Sequence, residues 1–438
     1  MAKRLNSVLG IDIGSQKIKV CEVKTQGKEP VVTALGIIDT PEGSVDHTGV
    51  YNPDAVGVAL KQALSAAGAG VPYAVVSIAG QASVLVRTLE VPKMNPTELQ
   101  EHMQWEINRN IPFAESTVVS DYKPLGGDDP NSPNMDVVMA IAPQSAIDTV
   151  IACVKKAGKT AAAIDVEPLS MARSIARSYD DELLTSTVCM VDMGAKSTSI
   201  NIFAGTKLLM PRQIPIGGEM FTKAIADALS VPFSEAEALK ITRAEVPESA
   251  ADSMVAPGDP FAIGSGPTSE FQPYNPFADD APAYTEPNAP TTDPSYADAP
   301  MTYGSNPFDE PRPVPAEPAD VVVPPGENLP AISGDPEVVR LYQAMAPVLD
   351  EFVSEIRRSV DYFRSRGGNI DRIVLCGGGT KLKGLTDYLN KLLGIPCDPY
   401  DPLRRLNLNA RKIAPDFLEQ HRQEFAVAVG NGLHIFFD

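Results

Sequence analysis

Two segments pair an aspartate with a glycine two residues on: Val8-Leu9-Gly10-Ile11-Asp12-Ile13-Gly14-Ser15 and Val188-Cys189-Met190-Val191-Asp192-Met193-Gly194-Ala195. In each, an apolar strand-like run ends at the aspartate and a second follows, Ile18 to Val23 and Ser199 to Phe203. A third segment, Arg372-Ile373-Val374-Leu375-Cys376, runs into Gly377-Gly378-Gly379 and Thr380, with a helix-like stretch, Leu385 to Leu393, behind it. Glycine lacks a Cβ, so backbone can approach a ligand closely or adopt the positive φ of tight hairpins. Successive N–H groups of such a turn form a concave nest for an anion, and a helix behind a glycine loop offers unpaired N–H groups at its positive end. Magnesium keeps several waters and takes few carboxylates, so Asp12 and Asp192 are candidates to hold Mg²⁺ through water. Gly14, Ser15, Gln16 and Lys17 in the first turn, and Gly194, Ala195, Lys196, Ser197 and Thr198 in the second, are the candidate phosphate contacts. A single Asp-x-Gly is most often only a hairpin turn. Two copies heading two similar halves, with a triple glycine in the second, point to a triphosphate gripped from both sides.

In this order the three segments resemble the phosphate-1, phosphate-2 and adenosine motifs of the actin-like ATPase superfamily. With Ile164-Asp165-Val166-Glu167-Pro168-Leu169 and Glu355-Ile356-Arg357-Arg358-Ser359-Val360-Asp361-Tyr362-Phe363, the chain is similar more narrowly to the PilM family of type IV pilus assembly, over roughly residues 5–245 and 335–437. The resemblance implies an α/β fold of two duplicated actin-like lobes with a small extra α+β subdomain in the first, as in PilM and the division protein FtsA. It implies ATP and Mg²⁺ in the cleft between lobes. It also implies that Glu167 orients the attacking water, because chaperone ATPases of the superfamily carry a Glu-Pro at a similar offset. Phosphoryl transfer rests on positioning and charge stabilisation more than on a strong base, and the implied catalytic set is Glu167, Asp12 and Asp192. The alternative is that Glu167 only caps the helix starting at Pro168, and Asp165 is a rival. Glu355 to Ser359, through Arg357, Arg358 or Ser359, would line the adenine and ribose pocket with Gly377, Gly378, Gly379 and Thr380. Relatives are richer in Ser or Thr in the first loop; Gln16 and Lys17 depart from that, and Lys17 or Lys19 either touches phosphate or is merely solvated.

The resemblance further implies an assembly protein of a type IV pilus, or of a related type II secretion machine, with at most weak ATPase activity. Its partner would be the short cytoplasmic tail of a PilN-like inner-membrane protein, alongside other pilus assembly proteins and with scope for self-association. Membrane contact would then come only through the partner. An FtsA-like division protein is one alternative, although the chain ends in Leu433-His434-Ile435-Phe436-Phe437-Asp438 and not in a basic amphipathic helix. A sugar kinase of the same superfamily is another, lacking an evident aspartate base.

The elements that must position these residues are legible as patterns. Strands are expected at 8–13, 18–24 and 30–38 with a helix at 53–67, and again at 188–193, 198–204 and 207–216 with helices at 218–229 and 234–244. Between them, strands at 74–78, 83–91, 117–125 and 135–142 and helices from Asn95 to Asn110 and from Pro143 to Ala157 read as the extra subdomain, residues 72–160. Asn95-Pro96-Thr97-Glu98 has the form of a capping box. Trp105, with Met103, Ile107 and Phe113, reads as subdomain core in preference to an interface anchor. A long helix from Asp335 or Pro336 to about Arg366 keeps helical apolar spacing, with Pro347 as a kink point, and a last helix spans 422–436. The first lobe is thus 1–185, and the second 186–245 with 335–438.

Residues 246–334 break the pattern and are left uncovered by the resemblance. Within 251–330 stand eighteen prolines, thirteen acidic residues and one arginine, a local net charge of −12 against −19 for all 438 residues. Such a stretch buries too little to offset chain entropy and is expected to be disordered. Asn-Pro-Phe followed by acid occurs twice in it, at Phe277 and Phe308, and reads either as a docking motif or as part of a passive spacer. The acidity argues against nucleic acid, which needs a basic surface. Five cysteines without clip spacing read as buried thiols of a reducing compartment, and four scattered histidines imply no metal cluster. With no long apolar run and too short an apolar segment at the N-terminus for a signal peptide, the expected location is cytoplasmic, peripheral at the membrane's inner face.

Overall fold

The computed structural model describes residues 5–80, 83–113, 117–126, 131–178, 181–254, 335–410 and 412–437. The chain opens with an antiparallel meander, β1 (Ser7–Ile13), β2 (Lys17–Gln26) and β3 (Glu29–Asp39). Helix α1 (Pro53–Ala67) then crosses to β4 (Tyr73–Ile78), which lies parallel to β1. Local chemistry fixes α1 at both ends. Asn52 accepts from the Ala55 N–H, Pro53 stands in the first turn, and Gly68 closes the helix in the left-handed region. Its Val56, Leu60 and Leu64, one helical turn apart, enter the same apolar core as Leu9, Ile11 and Val76 of the sheet.

The next strands leave the lobe. β5 (Leu85–Pro92), α2 (Pro96–Arg109), β6 (Val118–Pro124) and β7 (Asn134–Pro143) make a separate three-stranded sheet, order β5-β7-β6, on which α2 buries Leu99, Met103 and Ile107. The capping box is formed: Asn95 accepts from Thr97 and Glu98 N–H, and Glu98 accepts from the Asn95 N–H. α3 (Gln144–Lys156) packs back on α1, and β8 (Thr160–Val166) pairs parallel with β4. The separate sheet is therefore narrower than the expected block at 72–160. β4 sits between β1 and β8 with residues 74–78 all buried, as a central parallel strand must be, so it belongs to the first lobe. Trp105 corrects a second expectation: it is 55% exposed, on the outer face of α2.

After α4 (Glu167–Ser178) and α5 (Asp181–Thr185), the second meander runs through β9 (Thr187–Met193), β10 (Thr198–Ala204) and β11 (Lys207–Ile214). Among the described residues four helices follow: α6 (Gly218–Leu229), α7 (Phe233–Thr242), α8 (Glu248–Met254) and α9 (Pro336–Ser365). β12 (Arg372–Cys376) then pairs parallel with β9, and after α10 (Leu385–Leu393), β13 (Cys397–Pro399) pairs parallel with β12. The sheet order β11-β10-β9-β12-β13 repeats β3-β2-β1-β4-β8: two copies of one lobe. α9 runs on through Pro347 as one helix. The stretch expected to lack structure begins later than 246, because α8 is helical, buries Ala250 and Ala251, and packs on α10. Its remainder, with Phe277 and Phe308, lies outside the described residues.

The C-terminal segment corrects the expected lobe boundary. In place of one helix at 422–436 there are α11 (Pro415–His421), a 3₁₀ turn (Arg422–Phe425), α12 (Ala426–Gly432) and a last 3₁₀ turn (His434–Phe436). They return to the first lobe. β14 (Asn407–Leu408) pairs with β3, and Leu403, Phe425, Val429 and Leu433 join Cys21, Val23, Val32 and Leu35 in one core. Small residues allow the crossing: a Cβ on Gly10 would lie 2.0 Å from the Ala428 carbonyl oxygen, and one on Gly430 1.8 Å from that of Ser170. Asn431 ties the crossing together, donating to the Ile11 carbonyl (2.8 Å) and accepting from Ser77 (3.0 Å) and Ser170 (2.6 Å), all of it buried. Among the described residues no helix is long and apolar enough to cross a membrane. All five cysteines are buried free thiols.

Candidate functional site

The β1–β2 and β9–β10 hairpins face one cleft of about 1060 Å³. Their turns close alike: Gly14 N–H donates to the Lys17 carbonyl (3.1 Å) and Gly194 N–H to that of Ser197 (2.9 Å). Neither glycine has positive φ, contrary to the expected reason for them. Glycine serves close approach instead: a Cβ at 14 would stand 2.8 Å from the Lys17 carbonyl oxygen, and one at 194 would stand 3.1 Å from that of Ser197. The glycine loop does need positive φ at Gly377 (+86°), where a Cβ would also fall 2.2 Å from Asp192 Oδ1. The loop is thus packed directly on the second aspartate.

Register sets what faces each aspartate. Asp12 pairs with Lys19 across its hairpin, and Asp192 with Ser199 across the other. Lys19 Nζ lies 3.0 Å from Asp12 Oδ2; burial opposes the ammonium charge, yet Asp12 and Asp192 hold its pKa above the ordinary lysine value. Glu167, the first residue of α4, also lines the cleft. Burial, then the charges of Asp192 and Asp12, push its carboxyl up to about 8, against a hydrogen bond with Ser199. Asp192 is pushed up to about 7, by burial first; Lys19 pulls it down while Asp12 and Glu424 push it up. Such crowding marks functional sites more often than chance. Among the described residues no three or more His, Cys, Asp or Glu side chains are grouped to hold a metal directly. The converging carboxylates suit a hard cation kept largely hydrated.

Of the expected contacts, Asp12, Gly14, Ser15, Gln16, Lys17, Glu167, Asp192, Gly194, Ala195, Ser197, Gly378 and Gly379 line the cleft. Lys17 leans to its rim, paired with Asp39. Lys196 does not line it, and Thr198 and Thr380 turn inward to bond the carbonyls of Ile216 and Gly377. Arg357 and Ser359 are placed away from it: Arg357 donates to the Leu392 carbonyl (3.0 Å), and buried Ser359 accepts from Arg212 (2.6 Å). α9 gives its Phe352, Ile356 and Val360 face to the second-lobe core, which turns neighbouring positions into structural contacts. Asp165 is already engaged, by the Val166 N–H and by Arg173. The sequence reading missed the opposite wall. Gly218 N–H at the start of α6 donates to the Gly194 carbonyl (2.9 Å), and Lys240 of α7 bonds the Gly218 carbonyl (2.9 Å), Thr222 (2.7 Å) and Glu237 (2.8 Å) inside the cleft. Gly217-Gly218 at the start of an amphipathic helix was the available signal.

Duplicated sheets of this order around a cleft with paired Asp-x-Gly hairpins define the actin-like ATPase fold. A solved structure described as a PilM-PilN type IV pilus biogenesis complex superposes with a TM-score of 0.70 at 24% identity, covering 100% of both chains. The sequence pattern of the family described as Type IV pilus assembly protein PilM matches residues 10–261, more than half of the chain, and the chain belongs to that family. The pattern of Cell division protein FtsA matches residues 189–430. Curated relatives include FtsA of Pseudomonas aeruginosa, 29% identical over 260 residues, and FtsA of Neisseria meningitidis serogroup B, 24% over 254; each match covers 53% of this chain and 60% of the relative. The chain thus spans somewhat under two thirds of the length of these relatives.

Proposed function

We propose that the chain is an ATP-binding assembly protein of a type IV pilus, or of a related secretion machine, that receives the cytoplasmic tail of a PilN-like inner-membrane protein. The nucleotide half rests on one observation: two equivalent hairpins bring Asp12, Lys19 and Asp192, and the start of α4 brings Glu167, to one cleft wide enough for a nucleotide. The turn N–H groups of Ser15 to Lys17 and of Ala195 to Ser197 would meet the phosphates, with Lys19 as their cation. Asp12 and Asp192 would hold the waters of Mg²⁺, which supplies charge neutralisation at the β- and γ-phosphates. Glu167 would orient the attacking water, so that hydrolysis, if slow, still depends on it. Family membership and the likeness to the PilM-PilN complex support the partner half. The same cleft extends along Thr48, Gly80, Ser83, Ala146 and Thr149 to the root of the three-stranded sheet, and the tail would enter there. That would place the chain at the inner face of the membrane through its partner. The FtsA match over 189–430 favours a second reading, a cell-division scaffold.

Calorimetric titration tests both halves. The full chain is expected to bind Mg·ATP, and separately a synthetic PilN N-terminal peptide, at one site each. Absence of peptide binding with nucleotide binding retained would move the assignment toward the division scaffold; absence of Mg·ATP binding would remove the nucleotide half.

A further inference from the structure

The 3₁₀ turn at Arg422–Phe425 lies where the two lobes meet. Phe425 belongs to the first-lobe core, while Ala426 and Val427 pack in a cluster with Val374 and Cys376 of β12. From this turn Glu424 reaches into the cleft, its side chain 6% exposed. Its Oε1 accepts from Lys381 Nζ (2.6 Å), on the glycine loop of the second lobe, and contacts His421 Nδ1 (2.9 Å). Lys381 also donates to the Gln420 carbonyl (3.2 Å), and the Gly377 N–H donates to that of Gln423 (3.0 Å). A Cβ on Gly378 would stand 3.6 Å from Glu424 Oε2, so the carboxylate lies along the loop itself. Glu424 is the buried side of this pair and Lys381 is 40% exposed, so loss of the lysine would leave a buried carboxylate short of a partner, whereas loss of the carboxylate would free the lysine to solvent.

We propose that Glu424 is a positioning residue: through Lys381 it latches the glycine loop of the second lobe to the C-terminal segment seated on the first. The latch sets how firmly the loop covers Asp192 and how long the cleft keeps its occupant. It acts on the nucleotide site proposed above and rests on that reading for its effect on ATP, but not for its effect on the loop. Burial works against the Glu424 charge, yet Lys381 and His421 hold its carboxyl below the ordinary glutamate range, so Glu424 faces Lys381 as a carboxylate at neutral pH.

Hydrogen exchange on the nucleotide-free full chain tests the loop, with stopped-flow release of a fluorescent ATP analogue as second readout. Glu424→Gln and Lys381→Met are each expected to speed exchange at Gly377 and to speed release by about tenfold. Val374 and Val191 should remain protected. The double variant should go no further than either single one, and Glu424→Asp should fall between. Additive effects, or exchange raised equally through β9 and β12, would overturn the latch by showing independent contacts or general loosening. A wild-type chain that binds no Mg·ATP overturns the proposed function instead, and exchange still decides the latch.

Discussion

The two Asp-x-Gly hairpins have one backbone and different chemistry. Two residues before each aspartate stand Gly10 and Met190; opposite each aspartate stand Lys19 and Ser199. The first hairpin carries its own counter-charge, since Lys19 neutralises Asp12. The second carries none: Asp192 faces a serine with Glu167 close by, and both carboxyls are pushed toward their neutral forms. Duplication thus fixes geometry, while single positions opposite the aspartates divide the labour. On the proposed reading, the first hairpin would present a cation to the ligand and the second would require one from it. The same contrast governs packing, because Gly10 makes room for α12 whereas Met190 fills the core between lobes.

Exchanging the packing residues should have the largest effect. Gly10→Met puts a side chain where even a Cβ would lie 2.0 Å from the Ala428 oxygen and 2.3 Å from the Gly432 nitrogen. Backbone cannot yield there, so urea unfolding should show a loss of about 3 kcal/mol or more. Met190→Gly, the reverse, should cost about 2–5 kcal/mol through the cavity it leaves. Near-neutral results would mean that α12 docks less tightly than its contacts indicate.

Exchanging the charge partners comes next. Ser199→Lys gives the second hairpin the ammonium of the first, and ATP binding should then lose most of its dependence on Mg²⁺. The ratio of affinities with and without the metal is expected to fall by at least about tenfold, one charged hydrogen bond's worth. An unchanged ratio would place the cation elsewhere.

The smallest effect concerns pH. Glu167 and Asp192 have folded pKa values raised to about 8 and about 7 from 4.5 and 3.8. Groups raised in this way contribute stability at low pH that is lost as pH rises through the folded values. The nucleotide-free chain should therefore melt lower at about pH 8.5 than at about pH 6, and Glu167→Gln should reduce that slope. A wild-type slope of opposite sign would show that the carboxylates are not crowded in solution.

Much of this was legible because local chemistry and period were strong. The alternation in both meanders, the Asn95 cap and the apolar stripe of α9 specify their elements almost alone. What escaped were contacts between elements. β8 runs through Ala161, Ala162 and Ala163, too small to signal a strand. Asn431 sits in an Ala- and Gly-rich segment whose sequence does not say that three other elements converge on it. Arg357 and Ser359 stand on a helix whose period identifies an apolar face, but not which neighbour the flanking positions meet. Trp105 stands two residues from buried Met103 and Ile107, a spacing that puts it on the other side of the helix, so here the period itself was the signal.

The division of labour is tested most directly by titrating ATP, with and without Mg²⁺, into the wild-type chain, Asp192→Asn and Lys19→Met. Asp192→Asn should abolish the gain in affinity that Mg²⁺ gives, leaving metal-free binding largely as it was, whereas Lys19→Met should weaken binding in both conditions. An Asp192→Asn chain that keeps the full gain from Mg²⁺ would contradict the part proposed for Asp192 in holding the cation.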